Sequence, residues 1–233
     1  MKKKKQIDYY SSKIPIVKDT FYTKYGKRAI DIILSGVGII AASPAYLVIS
    51  ILEVWFHGHP IMYASQRPGK DEKLFSIYKF RSMTNETDED GNLLPENQRL
   101  TKFGRFIRKT SLDELPELFN IFKGDMSIIG PRPLLVDYLP LYSKRHRMRH
   151  KVRPGLACFR IIDTGRNTWT WGDQFENDIW YLEHVSLWTD IRMIFAVVKK
   201  VFEASDVRAD DTRVMFDGGN LSETRSRYET TKM

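Results

Sequence analysis

Between Asp31 and Glu53 the chain runs for 21 residues without a charge, IILSGVGIIAASPAYLVISIL. As a helix, at about 1.5 Å per residue, that is long enough for a hydrocarbon core of about 30 Å. Ser43-Pro44 sits in its middle. Proline has no backbone N–H, and its ring clashes with the preceding turn. The run therefore reads as two apolar arms of roughly a dozen residues, each reaching about half the core. Ser43 is placed to satisfy a freed carbonyl with its hydroxyl. One reading is a kinked helix that spans the bilayer. The other is a helix that dips in, breaks at Ser43-Pro44 and returns to the same face.

The flanks favour the second. Lys2 to Lys5, Lys13, Lys18, Lys24, Lys27 and Arg28 precede the run, and Arg67, Lys70, Lys73, Lys79 and Arg81 follow it. Lys and Arg near membrane ends favour the cytoplasmic side. A spanning helix leaves one basic flank on the wrong side. A signal peptide fits poorly, because the apolar run starts late and is too long. Gly36-Val37-Gly38-Ile39-Ile40-Ala41 matches a dinucleotide fingerprint, but no strand–helix–strand pattern surrounds it.

The 233 residues carry a net charge of +8, which suits anionic lipid, a phosphorylated substrate or nucleic acid. Nucleic-acid binding rests on charge alone. The single cysteine, Cys158, excludes an internal disulfide, and with five scattered histidines it argues against zinc.

The pattern divides the chain into a basic arm (1–27), a membrane element (28–56), a globular domain (57–205) and a polar tail (206–233). Residues 60–64 and 73–80 read as short strands around Arg67-Pro68-Gly69-Lys70. Residues 84–96, acidic and containing Asp90-Gly91, read as a loop. Helices are expected over 100–109, 112–122 and 135–150. Another, over 187–202, places Ile191, Ile194, Phe195, Val198 and Phe202 on one face. That last helix suits either the core or a membrane interface.

The richest local signal is Arg108-Lys109-Thr110-Ser111-Leu112-Asp113-Glu114-Leu115-Pro116-Glu117. Pro116 near the start of a helix makes Asp113 its N-cap. The two acids then stand at the positive end of the helix dipole, which favours their ionised forms. An ionised aspartate can attack phosphorus. Its neighbour points about 100° away and can hold Mg²⁺ instead. Arg108 offers a planar fork for phosphate, and Arg132, between two prolines, is a rigidly held second one. Capping alone also explains an Asp-Glu pair at a helix start. Loop anchoring alone explains Arg132, and surface charge alone explains Lys79 and Arg81.

These residues carry a resemblance. Lys27-Arg28-Ala29-Ile30-Asp31, Ser43-Pro44, Gln66-Arg67-Pro68-Gly69 and Tyr78-Lys79-Phe80-Arg81-Ser82-Met83 occur in order. They are followed by Arg108, Ser111-Leu112-Asp113-Glu114-Leu115-Pro116, residues 124–133, Arg153-Pro154-Gly155 and Gly165-Arg166-Asn167. The chain resembles the monotopic polyprenyl-phosphate phosphoglycosyl transferases, the bacterial sugar transferases that initiate glycan assembly.

The resemblance implies a mostly helical α+β fold. It consists of a re-entrant helix broken at Ser43-Pro44, a small catalytic domain and interfacial amphipathic helices, at the cytoplasmic face of the bacterial inner membrane. It implies that Asp113 attacks a UDP-sugar and expels UMP, and that the phosphosugar passes to undecaprenyl phosphate. It assigns Mg²⁺ to Glu114 with Asp113, phosphate binding to Arg108 and Arg132, and places in the site to Lys79 and Asp190. Membrane lipids are implied partners, nucleic acid is not, and homo-oligomerisation is left open. Residues 157–164 depart from the family pattern, which puts sugar preference in question. The rival class is a non-catalytic basic scaffold of envelope biosynthesis.

Overall fold

The structure, a computed structural model, describes residues 13–158, 170–203 and 215–222. It is mostly helical, with a two-stranded hairpin and a two-stranded parallel pair. After a helical turn at Tyr22–Gly26 comes α1, Lys27–His57. Strands β1 (Met62–Pro68) and β2 (Leu74–Phe80) pair antiparallel, Met62 opposite Phe80. Then come α2 (Glu96–Arg99), α3 (Lys102–Lys109), α4 (Glu117–Lys123) and β3 (Ser127–Ile129). Last are α5 (Lys144–Arg147), β4 (Gly155–Ala157), α6 (Trp171–Glu183) and α7 (Leu187–Glu203). β3 and β4 are parallel neighbours.

Helix α1 stays helical through Ser43-Pro44. Pro44 cannot bond the carbonyl one turn back, that of Ile40. The Ser43 hydroxyl donates to that same Ile40 carbonyl at 2.8 Å. The orphaned acceptor is satisfied locally, which lets the helix pass a proline.

The helix is amphipathic in an inverted sense. Asp31, Ser35, Ile49 and Glu53 form its buried stripe. Ile33, Val37, Ile40, Leu47, Ile51 and Trp55 are exposed, from 58% to 82%. Apolar surface on that scale marks a partner or a membrane rather than water.

The buried stripe is tied to the domain along its whole length. Arg28 donates to the carbonyls of Ile121 and Phe122 at 2.6 and 2.7 Å, the last turn of α4. Asp31 Oδ1 accepts from Ser127 Oγ and the Ile128 amide. Gly38 lets Leu118 approach; a Cβ there would lie 3.3 Å from Leu118 Cδ1. The Tyr46 hydroxyl donates to the Leu115 carbonyl. At the far end Glu53 bonds His57 Nδ1, and His57 Nε2 bonds Thr101 Oγ1, both at 2.8 Å. Thr101 in turn caps α3, accepting from the Gly104 amide.

Two helix expectations fail. Residues 112–122 are not one helix: a single 3₁₀ turn, Leu112–Glu114, precedes α4, whose N-cap is Pro116. Ser111 sits in the left-handed region at φ 56° and redirects the chain before that turn. Residues 135–150 split into a 3₁₀ stretch at Val136–Leu141, the short α5 and a 3₁₀ turn at Met148–Lys151. Pro140 and the extended Tyr142 and Ser143 interrupt them.

Helix α6 is a core element. Eleven of its thirteen residues are buried, and Thr170 with Asp173 makes a reciprocal capping box at its start. Trp171 and Phe175 join Tyr138, Tyr142 and Phe216 in an aromatic cluster. Phe216 and Leu221 are both 4% exposed, so this part of the expected polar tail is packed into the domain. On α7, Asp190 and Met193 face inward, while Leu187, Trp188 and Phe195 are exposed. Phe195 therefore lies off the packed side. The side chains of Val198 and Phe202, together with residues 159–169 and most of the tail, lie outside the described residues.

Candidate active site

Four elements converge on one charged cluster. Lys79 comes from β2, where it shares a face with the buried Phe75 and Ile77. Asp113 and Glu114 come from the 3₁₀ turn, Glu117 from the first turn of α4, and Arg132 from the loop after β3. Glu114 Oε1 accepts from Lys79 Nζ and Arg132 Nη2, both at 2.7 Å. Lys79 also pairs with Glu117 at 3.0 Å. Among the described residues, no other side chain is bonded or ion-paired to Asp113.

The electrostatics separate the two adjacent acids. Burial pushes Glu114 up, but Arg132 and Lys79 outweigh it and hold its carboxyl down at about 2. The Asp113 carboxyl is pushed up to about 6, by burial first and the Glu114 charge second, against Lys79 and Arg108. Glu117 is pushed up to about 7, chiefly by burial. The expected N-cap position of Asp113 is thereby corrected. It lies before the helix rather than at its dipole, and its surroundings resist ionisation. A partly desolvated carboxylate with one compensated neighbour is a better nucleophile than a solvated one.

The remaining expected residues fall in two places. Arg108 Nε donates to Ser82 Oγ at 2.7 Å, which leaves its terminal nitrogens without a described partner and near Asp113. Asp190 is not with the cluster. Its carboxylate accepts from Tyr22 and Tyr181 hydroxyls at 2.6 and 2.8 Å and pairs with Lys27 at 2.5 Å. It fastens the chain before α1 to α6 and α7. Arg81 is likewise structural, 7% exposed and donating to the Pro60 carbonyl.

Sequence reasoning missed three contributors. Glu117 lies one turn past Glu114 and shares its lysine. Arg149 is buried and donates to the Arg132 backbone carbonyl at 2.7 Å, while Asp178 of α6 holds the same guanidinium at 2.7 and 2.9 Å. In the sequence Arg149 is one cation in the run Lys144 to Lys151, with no sign that it turns inward. Arg67 lines the cleft beside the cluster.

That cleft, about 230 Å³, shares Lys79, Glu117 and Arg132 with the cluster and continues past Leu134, Tyr138 and Trp171. Oxygen donors suited to Mg²⁺ are present, namely the second oxygen of Glu114 and the carboxylate of Asp113, which has no side-chain partner among the described residues. Among the described residues no three acidic, His or Cys side chains gather as a metal site.

Residues 22–204 match the family model described as bacterial sugar transferase. A Bacillus subtilis protein named as an uncharacterized sugar transferase, EpsL, is 48% identical over 151 residues, covering 65% of this chain and 74% of that protein. The undecaprenyl-phosphate galactose phosphotransferase of Salmonella typhimurium is 37% identical over 200 residues, covering 77% of this chain and 41% of its own. The UDP-glucose:undecaprenyl-phosphate glucose-1-phosphate transferase of Klebsiella pneumoniae is 37% identical over 185 residues, covering 76% and 40%. The chain thus spans about two fifths of the latter two.

Proposed function

The chain belongs to the bacterial sugar transferase family, and from that membership we propose that it moves a sugar 1-phosphate from a UDP-sugar to undecaprenyl phosphate and releases UMP. The observation that carries this reading is the cluster itself. Among the described residues one carboxylate, Asp113, has no side-chain partner, while its neighbour Glu114 is compensated by Lys79 and Arg132.

Asp113 attacks the phosphorus that bears the sugar. A bond forms from Asp113 Oδ to that phosphorus, and the bond from phosphorus to the bridging oxygen breaks, so UMP leaves with that oxygen. A phosphate oxygen of the lipid acceptor then attacks the same phosphorus. The Asp113–phosphorus bond breaks, and the carboxylate is restored. Lys79, Arg108 and Arg132 lie where they stabilise charge on the transferring group. Glu114, with Asp113 beside it, would hold Mg²⁺, which when bound neutralises charge on the diphosphate.

The membrane arrangement follows the same reading. Both ends of α1 are bonded to one domain, Arg28 and Asp31 at the start and His57 at the end. A helix crossing the bilayer would place those ends about 30 Å apart across hydrocarbon. A helix lying half-immersed, polar stripe toward the protein and apolar face toward lipid, keeps both ends on the cytoplasmic side. It also sets the site at the depth of the acceptor's phosphate.

A panel of UDP-sugars, incubated with the purified protein, undecaprenyl phosphate and Mg²⁺, tests the proposal by UMP release. A protein that binds membranes and releases no UMP from any donor is a scaffold instead.

A further inference from the structure

The cleft has two chemically distinct ends. One is cationic, formed by Arg67, Lys79 and Arg132, with Glu117 as the one acid among its described lining residues. The other is apolar and aromatic, formed by Leu134, Leu135, Tyr138 and Trp171 of the aromatic cluster together with Met215. Met215 reaches this wall from the far end of the chain. Phe216 and Leu221 are buried in the aromatic cluster, and the Leu221 carbonyl accepts from the Gly172 amide at 2.8 Å. The Tyr138 hydroxyl meets Met215 Sδ at 3.4 Å and accepts from the Phe216 amide at 3.3 Å. Residues 215–222 are therefore a strap fastened to the domain, and Met215 is its residue that lines the cleft.

Resting on the transferase reading above, we infer that this apolar end holds the uracil ring of the donor and of the departing UMP, with Met215 closing over it. The choice between the two ends of the donor rests on hydrogen-bonding capacity. A hexose carries several hydroxyls, and burying them against an apolar wall leaves them unpaired. Among the described residues at that end, Tyr138 carries the one side-chain hydroxyl, and the strap already engages it. Uracil keeps its two carbonyls and its N–H on the ring edge, so its flat faces stack on aromatic and thioether surface while that edge stays in contact with water. At about 230 Å³ the cleft takes one part of a UDP-sugar rather than all of it. The cationic end adjoins the cluster and suits the diphosphate that joins base to sugar. Asp113 then faces the attacked phosphorus from the side opposite the departing UMP, as an in-line displacement requires.

Titration calorimetry of the full-length protein in detergent tests this with two probes, UDP and inorganic pyrophosphate, which share the diphosphate and differ in the nucleoside. Met215 is 57% exposed, so its replacement does not open the core. Met215→Ala should raise the Kd for UDP about fivefold, the loss of one side chain's contact. Met215→Trp, which fills the cleft, should raise it further. The Kd for pyrophosphate should stay as in the unaltered protein. An unchanged Kd for UDP in both variants, or an equal weakening of both probes, overturns the assignment. A higher KM for the UDP-sugar with unchanged UDP affinity also overturns it, by placing the sugar in the cleft. Failure of the unaltered protein to release UMP sinks the transferase reading alone, because the titrations do not need turnover.

Discussion

Asp113 carries the cost of the arrangement around it. Its neighbour Glu114 takes Lys79 and Arg132, so Asp113 ionises with burial and a like charge against it. In the proposed reaction the attacking form is the carboxylate. UMP release should therefore rise with pH through about 6, the value to which the carboxyl is pushed, and fall roughly tenfold per unit below it. Glu114, held down at about 2, stays ionised throughout that window. Glu117 titrates nearby at about 7, so repeating the profile with Glu117→Gln separates the two: the acid limb should persist. Stability shifts the other way. The folded carboxyl lies above its ordinary 3.8, so the folded state prefers the protonated form and loses stability as pH rises from about 4 to 6. Asp113→Asn should abolish UMP release yet raise stability at pH 7 by on the order of 2 kcal/mol, seen as a higher Tm. A lower Tm in that variant contradicts the account. Arg132→Lys should lose most activity, because an ammonium lacks the planar fork that meets Glu114 and a phosphate together. The importance of these residues was legible from their order in the sequence. Their pairing was not, because a shared lysine needs β2 beside α4 and a buried Arg149 needs α6 behind the loop.

The elements that the sequence showed clearly were those with an uninterrupted pattern, namely the apolar run, the hairpin, α3 and α7. Those it misread were short pieces punctuated by proline or by a left-handed residue. Ser111 is one such case, since nothing in a serine announces φ 56°. Helix α6 was missed because it is buried nearly all round, with Asp173, Gln174, Asn177 and Asp178 as deep as Trp171 and Phe175. Periodicity in hydrophobicity does not find such a helix. Helix α3 offers a direct test of how packing sets the site. A Cβ on Gly104 would lie 1.8 Å from the Ser82 carbonyl oxygen, and Ser82 Oγ holds Arg108. Gly104→Ala should cost about 1–3 kcal/mol in thermal or denaturant unfolding. It should also lower UMP release more than that loss alone explains, through displacement of Arg108. Unchanged activity at matched folded fraction would show that Arg108 is not held this way.

For the molecule as a whole, the decisive property is that an exposed apolar side and a domain-facing side run along one helix. With Cys158 replaced, single cysteines at Lys18 and Asn92 should both resist membrane-impermeant labelling from outside intact cells. Both should label once the membrane is opened. Labelling of Lys18→Cys alone from outside would mean a spanning helix. The ties that decide this are made late. The residues that receive α1 (Leu115, Leu118, Ile121, Phe122, Ser127) are translated roughly 60 to 70 residues after its end. At about 5–20 residues per second, the ribosome reaches them several seconds later. During those seconds Asp31, Ser35 and Glu53 have no protein surface to turn toward, and the insertion machinery meets an apolar run of spanning length. The final topology is thus a decision that the nascent chain must postpone until the far side of its own sequence has been made.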